Sequence, residues 1–365
     1  MSTLIEEFKI KIAKLRLLAD AKNAGGILIT DQGNFSWLTC GGRGFIGLAS
    51  ELSCAPLLIS PAKVYLIANN IERPRLLDEE VPEISRAIET TGFPWQELGK
   101  NNAAFINNAL DGRPCLADTL IMDDIIKLRS VLQESEMDRY ACLCRESAAV
   151  LEDICTGLKP GVTEFEAAGR LSSMLWKKGI EPITLLIAFD ERIIRYRHPL
   201  PTAARLQKTA MLAMCARRHG LIASASRMVS LGSLSDELRQ RHNAVAEIDA
   251  QLISDTSPGV TLRDVFLRAL ESYRKAGYPE EWKLHHQGGL TGYGARDYVA
   301  NEENTFLIHN NQAYAWNPTI TGTKSEDTIL ITGGSARILT HTGTFPYKNI
   351  KVSGGIIRRP DILTL

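Results

Sequence analysis

The 365-residue sequence lacks net charge: Lys plus Arg total 42, and Asp plus Glu total 42. A balanced chain has no whole-molecule field to draw it to DNA, RNA or an anionic bilayer, so nucleic acid and membrane are not expected partners. No apolar run approaches the roughly 20 residues that span a membrane. The opening stretch, Met1 to Asp20, is charged throughout and has no signal-peptide apolar core. Cysteine is sparse: the 7 residues are scattered, odd in number and without zinc-ribbon spacing. Reduced thiols in a cytoplasm are the expectation. Aspartate is missing altogether between Asp190 and Asp236. That gap shapes the chemistry considered below.

The length fits two domains. Residues 4–23 place Leu4, Ile5, Phe8, Ile12, Leu15 and Leu18 at helical spacing, and Gly25-Gly26 stops them. Short apolar runs at 26–29, 56–59 and 64–67 have strand length and turn residues at their ends. The Gly-rich stretch Thr39 to Gly44 lacks a P-loop Lys-Ser/Thr and reads as a turn rather than a phosphate cradle. A long amphipathic helix follows over 134–156. The expected domains are therefore 1–128 and 129–365.

The second half carries an internal repeat. Residues 160–163 and 258–261 both read Pro-Gly-Val-Thr. Thr163 and Thr261 are candidate N-caps, and Glu166 completes a capping box in the first copy. Each repeat helix ends at a basic residue and a glycine, Lys178-Gly179 and Lys275-Ala276-Gly277. A long helix precedes each copy (134–156 and 234–254) and a strand candidate follows. Two helix–helix–strand units imply a pseudo-twofold α+β domain with a cleft where the halves meet.

This duplication resembles the pita-bread domain of the creatinase, aminopeptidase P and prolidase superfamily. So do His198-Pro199, Cys215 to Arg227, His285-His286-Gln287-Gly288-Gly289, Trp316-Asn317-Pro318 and Gly322 to Thr328. The resemblance implies an α+β fold, with a smaller α/β creatinase-type N-terminal domain before the pita-bread domain. Metal-dependent members bind two divalent ions with two Asp, one His and two Glu. Laid on this chain, those positions hold Ala213, Ser224, Gly289, Asn317 and Glu326. One carboxylate in five is too few for a dinuclear site. Neither metal nor any other cofactor is expected. The metal-free creatinase branch uses a catalytic histidine, and His198 matches its position.

The catalytic candidates are His198, His285 and Glu326. An imidazole titrates near neutrality and can exchange a proton with substrate. Neighbouring strand residues face opposite ways, so one of His285 and His286 should enter a given cleft. The resemblance favours His285, with Gln287 on its face, while His286 is a candidate substrate contact. By the same alternation Glu326 shares a face with Lys324 and Thr328. Arg296 and Arg227 are candidate carboxylate binders, because a guanidinium fork fits a carboxylate, and both are equally candidates for surface ion pairs. Asn317 can grip an amide or carboxylate, and Ser224 should face the cleft. Ser224 and Ser226 lack a nucleophile elbow, and Cys215 reads as core. In the creatinase branch a partner subunit's N-terminal domain completes the pocket, which nominates Trp37 and Arg43 and implies a homodimer.

The resulting expectation is a metal-independent hydrolase or C–N lyase. Its substrate would be a small amino-acid-like amide, amidine or N-substituted amino acid bearing a carboxylate. Two alternatives stay open: a dinuclear Xaa-Pro peptidase, and a non-catalytic protein that binds peptides or other proteins.

Overall fold

The computed structural model describes residues 4–97 and 102–365. The chain forms two compact units. The first comprises Met1–Arg139 with His219–Leu221, and the second Tyr140–Arg218 with Ile222–Leu365. The division falls inside the helix Glu134–Thr156, later than the 128/129 boundary read from the sequence.

The first unit opens with the helix Leu4–Ala21, whose buried stripe is Phe8, Ile12, Leu15 and Ala19. Its sheet contains β1 (Gly26–Asp31), β2 (Leu52–Ile59), β3 (Val64–Asn69), β4 (Glu89–Phe93) and β5 (Cys115–Ala117). The strand order is β4-β3-β2-β1-β5. Two sequence assignments need correction in this unit. Trp37 is 1% exposed and lies beneath the Lys11 ammonium at 5.7 Å, so it is a core side chain and offers no face to a substrate. Arg43 spends its guanidinium on Glu80, at 2.9–3.1 Å from the carboxylate oxygens.

The second unit repeats one plan twice. The first copy runs from Tyr140 through the rest of the long helix to the helix Glu164–Trp176 and strands β6 (Glu181–Phe189), β7 (Thr209–Arg218) and β8 (Leu221–Ser230). The second runs through helices Asp236–Asp255 and Leu262–Lys275, then β9 (Gly288–Thr291), β10 (Tyr298–Val299) and β11 (Ala313–Trp316). Next come β12 (Thr319–Ile320), β13 (Thr323–Lys324), β14 (Asp327–Thr332) and β15 (Ser335–Ile338). The chain ends with β16 (Tyr347–Val352), β17 (Gly355–Pro360) and β18 (Leu363–Thr364). The sheet orders β18-β8-β7-β6 and β10-β9-β11-β14-β15 place three antiparallel strands at the heart of each half.

Both repeat helices start as their sequence requires. Thr163 and Thr261 sit in extended conformation and accept from the backbone N–H three residues on. Glu166 and Asp264 bond back, so both copies have a complete capping box. Two orphan amides are satisfied at each start, a contribution of about 1 kcal/mol per cap. The halves join along β8 and β14. Ser226 bridges Glu326, and the Thr328 hydroxyl accepts from Ser224 N at 2.9 Å while donating to Ser224 O at 2.9 Å. Every residue of β8 is buried.

Behind that seam lies an ionic cluster that corrects the reading of Arg227. Its side chain is fully buried, with Nε 2.9 Å from Glu152, Nη1 3.1 Å from Asp327 and Nη2 2.8 Å from the Thr340 carbonyl. Arg359 pairs with Asp327 at 2.7 Å and also with Asp249. Arg227 is thus a framework cation on the side of β14 away from the cavity, not a substrate binder. Among the described residues, no helix is long and apolar enough to cross a membrane.

Candidate functional site

A cavity of about 250 Å³ opens within the second unit. Its polar lining includes His198, His286, Arg296, Asn317, Lys324 and Glu326, and Ala213 and Cys215 also border it. The alternation read from the sequence explains much of this. Lys324 and Glu326 point into the cavity, while Ser325 and Asp327 point back to Asp249 and Arg359. Likewise Asn317 reaches the cavity, while Tyr314 and Trp316 stack on each other within the core.

Glu326 is the electrostatic centre. Its Oε1 is 2.9 Å from Nη2 of Arg296, which reaches over from the loop between β9 and β10. Its Oε2 is 2.9 Å from Lys324 Nζ and accepts from the Ser226 hydroxyl at 3.0 Å. Burial pushes this carboxyl up, but Lys324 and Arg296 more than offset it, and the group is held below the usual glutamate range. Two cations face one carboxylate, so this trio carries a charge of +1. The same Arg296 donates from Nη1 to Ser224 at 3.2 Å.

Three imidazoles stand beside the trio. His198 lies after the short helix Glu191–Arg195, and its loop is tied down by Arg197, bonded to Glu281 and Thr321 at 2.8 Å each. His198 Nε2 is 3.0 Å from His285 Nε2, and the Asn317 amide nitrogen is 3.4 Å from that same atom. His286 packs 4.6 Å from His285 between ring centres. Burial, followed by the Lys324 charge, pushes His285 down to about 2. Burial and then Arg296 push His286 down to about 4. His198 is lowered less, by burial and Lys324 against the opposing Glu326. All three rings are neutral at pH 7.

The structure brings both candidates, His285 and His286, to the cluster, although strand alternation allowed only one of them into a given cleft. Regular strand begins only at Gly288, after a 3-10 turn over Glu281–Leu284, so strict alternation does not apply. Gln287 turns inward, accepting from Tyr273 at 2.8 Å. Ser224 has an arginine and the Cys215 thiol as side-chain neighbours (Sγ at 3.4 Å) and lacks the base a nucleophile needs. Cys215 is half-buried at the cavity rather than plain core. Its place was readable from β7, where it alternates with Ala213. Lys324 was the functional side chain left off the sequence-based site; its shared face with Glu326 was the available signal. Three polar atoms here are buried without a partner: His285 Nδ1, Asn317 Oδ1 and Arg296 Nε.

Two helix–helix–strand copies around a polar cavity make this a pita-bread domain, the architecture expected from the repeat. The profile described as metallopeptidase family M24 matches residues 138–333, and the chain belongs to that family. It is 26% identical over 235 residues to an uncharacterized peptidase of Staphylococcus haemolyticus. That match takes in 60% of this chain and 65% of the relative, so the chain spans about two-thirds of that protein's length. The prolidase of Pyrococcus horikoshii superposes with a TM-score of 0.76 at 18% identity, over 91% of this chain and 98% of that one. The N-terminal domain of FACT complex subunit SPT16 from Cicer arietinum gives 0.69 at 10% identity, over 93% and 97%. At such identities these likenesses establish the fold.

Proposed function

We propose that this family M24 hydrolase cleaves a C–N bond without the family's dinuclear metal centre. Its substrate is a small amide, amidine or N-substituted amino acid bearing a carboxylate. The carrying observation is the bonding of Glu326. The ligand positions assigned by resemblance hold Ala213, Ser224, Gly289, Asn317 and Glu326. Their one anionic group is already saturated by Arg296, Lys324 and Ser226. Another of these positions, Gly289, has φ +155°, and an added Cβ would lie 2.0 Å from the Tyr298 carbonyl oxygen. This donor set does not fit a pair of hard divalent cations.

The chain's own cations take over electrostatic work in this reading. The net positive trio holds the substrate carboxylate, and the Asn317 amide orients the scissile group. His198, neutral at pH 7, accepts a proton from water as the water oxygen bonds to the reacting carbon. It returns that proton to the leaving nitrogen as the C–N bond breaks. His285, bonded to His198 Nε2, fixes the ring's orientation. Donors aimed at developing negative charge are each worth about 10²–10³ in rate. Seven free cysteines fit a reducing cytoplasm, and a homodimer remains the expected assembly.

The test is turnover of a panel of N-acyl amino acids, amidino acids and Xaa-Pro dipeptides by chelator-treated protein. Expected is activity that survives the chelator and disappears in His198→Ala. Activity that requires two equivalents of manganese, cobalt or zinc would instead establish a dinuclear peptidase. Tight ligand binding with no turnover on any substrate would establish a binding protein.

A further inference from the structure

We infer that His198, His285 and His286 form a binding site for one borderline transition-metal ion such as zinc or cobalt(II). This site differs in residues and ligand chemistry from the family's carboxylate-rich pair. The inference rests on geometry, and because an ion held here would engage His198 and His285, it would compete with the proton-transfer role given to them above. One ligand nitrogen from each ring can be chosen so that all three lie within 4.8 Å of one another. A tetrahedral ion with M–N bonds of about 2.0–2.1 Å needs nitrogens roughly 3.3 Å apart. The His198–His285 pair, at 3.0 Å, is already at that spacing. Only His286 must swing inward, and it is the less confined of the two neighbours: His285 is 7% exposed, whereas His286 is half-buried. His198 is exposed and can follow.

A second observation points the same way. His285 is more than nine-tenths buried, yet its Nδ1 has no partner, and neither does Oδ1 of the buried Asn317 beside it. Buried polar atoms are normally satisfied. With the ring proton on that unpartnered Nδ1, the His285 lone pair lies on Nε2, the atom that faces His198 and accepts from Asn317.

The chemistry selects the ion. Three neutral imidazoles suit zinc, cobalt, nickel and copper. Calcium and magnesium need several anionic oxygens. The nearest one, Glu326, is held by Arg296 and Lys324, and the +1 trio further disfavours a cation that lacks strong nitrogen bonds. His198 and His286 line the cavity, so an ion on these rings would be reachable by water or by a substrate group.

The experiment titrates chelator-stripped full-length protein with cobalt(II), following the visible ligand-field absorption of nitrogen-coordinated metal. Expected is an endpoint at one ion per chain, displaced by zinc and untouched by excess calcium or magnesium. Affinity should fall roughly 100-fold or more in His286→Ala and in His285→Asn. Glu326→Gln should still bind one ion. Circular dichroism matching the parent chain guards against misfolding, and His286, the least confined of the buried pair, supplies the variant least prone to it. An endpoint of two ions, loss of binding in Glu326→Gln with normal binding in His286→Ala, or no absorption change would overturn the inference. Because absorption is the readout, its failure is distinguishable from failure of the proposed hydrolysis.

Discussion

Replacing Arg296 with methionine removes one of the two cations on Glu326 while keeping similar bulk. In the parent chain the carboxylate is bonded on both oxygens, to Arg296 at 2.9 Å and Lys324 at 2.9 Å; the Lys324 pair is buried and the Arg296 side chain is 13% exposed. Losing one partner of a buried ion pair costs about 3–5 kcal/mol when it leaves an uncompensated charge. Here Lys324 and Ser226 remain, so about 1–3 kcal/mol is expected at pH 7. The pH dependence is the sharper test. The folded-state pKa of Glu326 is depressed, so its stabilisation is present above the unfolded value near ~4.3 and is lost as pH falls through the lower folded value. Methionine at 296 raises the folded value and removes part of that term. The gap between parent and variant in urea unfolding should therefore be widest at neutral pH and narrow below about pH 4. A gap that is constant with pH, or widens in acid, would refute the idea that Arg296 acts by charge on Glu326. The variant should also lose binding of carboxylate ligands.

Two further outcomes test the frame around the site. Arg227→Met should destabilise by about 3–5 kcal/mol in urea unfolding, because it strands Glu152 and Asp327 in the interior; a loss below 1 kcal/mol would show the cluster to be dispensable. Gly289→Ala should cost about 3 kcal/mol or more, since its φ of +155° and the Tyr298 carbonyl leave no room for a methyl group. A soluble Gly289→Ala protein of parental stability would show that β9 and β10 are held less tightly than described.

Much of this was legible in the chain. Pro-Gly-Val-Thr twice over announced both capped helices, because capping is local and needs only residues within one turn. Alternation correctly sent Lys324 and Glu326 one way and Ser325 and Asp327 the other. What stayed hidden depends on distant partners. Arg227 and Arg296 read alike as cations on extended segments. Only the fold places acids from two elements around Arg227 and a cavity beside Arg296. Trp37 read as a pocket aromatic because burial against Lys11 is a tertiary fact. His286 lines the cavity as its candidacy implied, but the rule that only one of His285 and His286 could enter was applied before regular strand begins at Gly288.

The adjacent glycines of β9 carry a lasting consequence. At Gly288 a Cβ would lie 2.1 Å from the Ala315 carbonyl oxygen, and at Gly289 the neighbouring strand is as close on the other side. Main chain, rather than any exchangeable group, fills the volume that a side chain at either position would require. A larger residue at 288 or 289 must first pry two strands apart, so this edge of the sheet can change its side chains only after its backbone has moved.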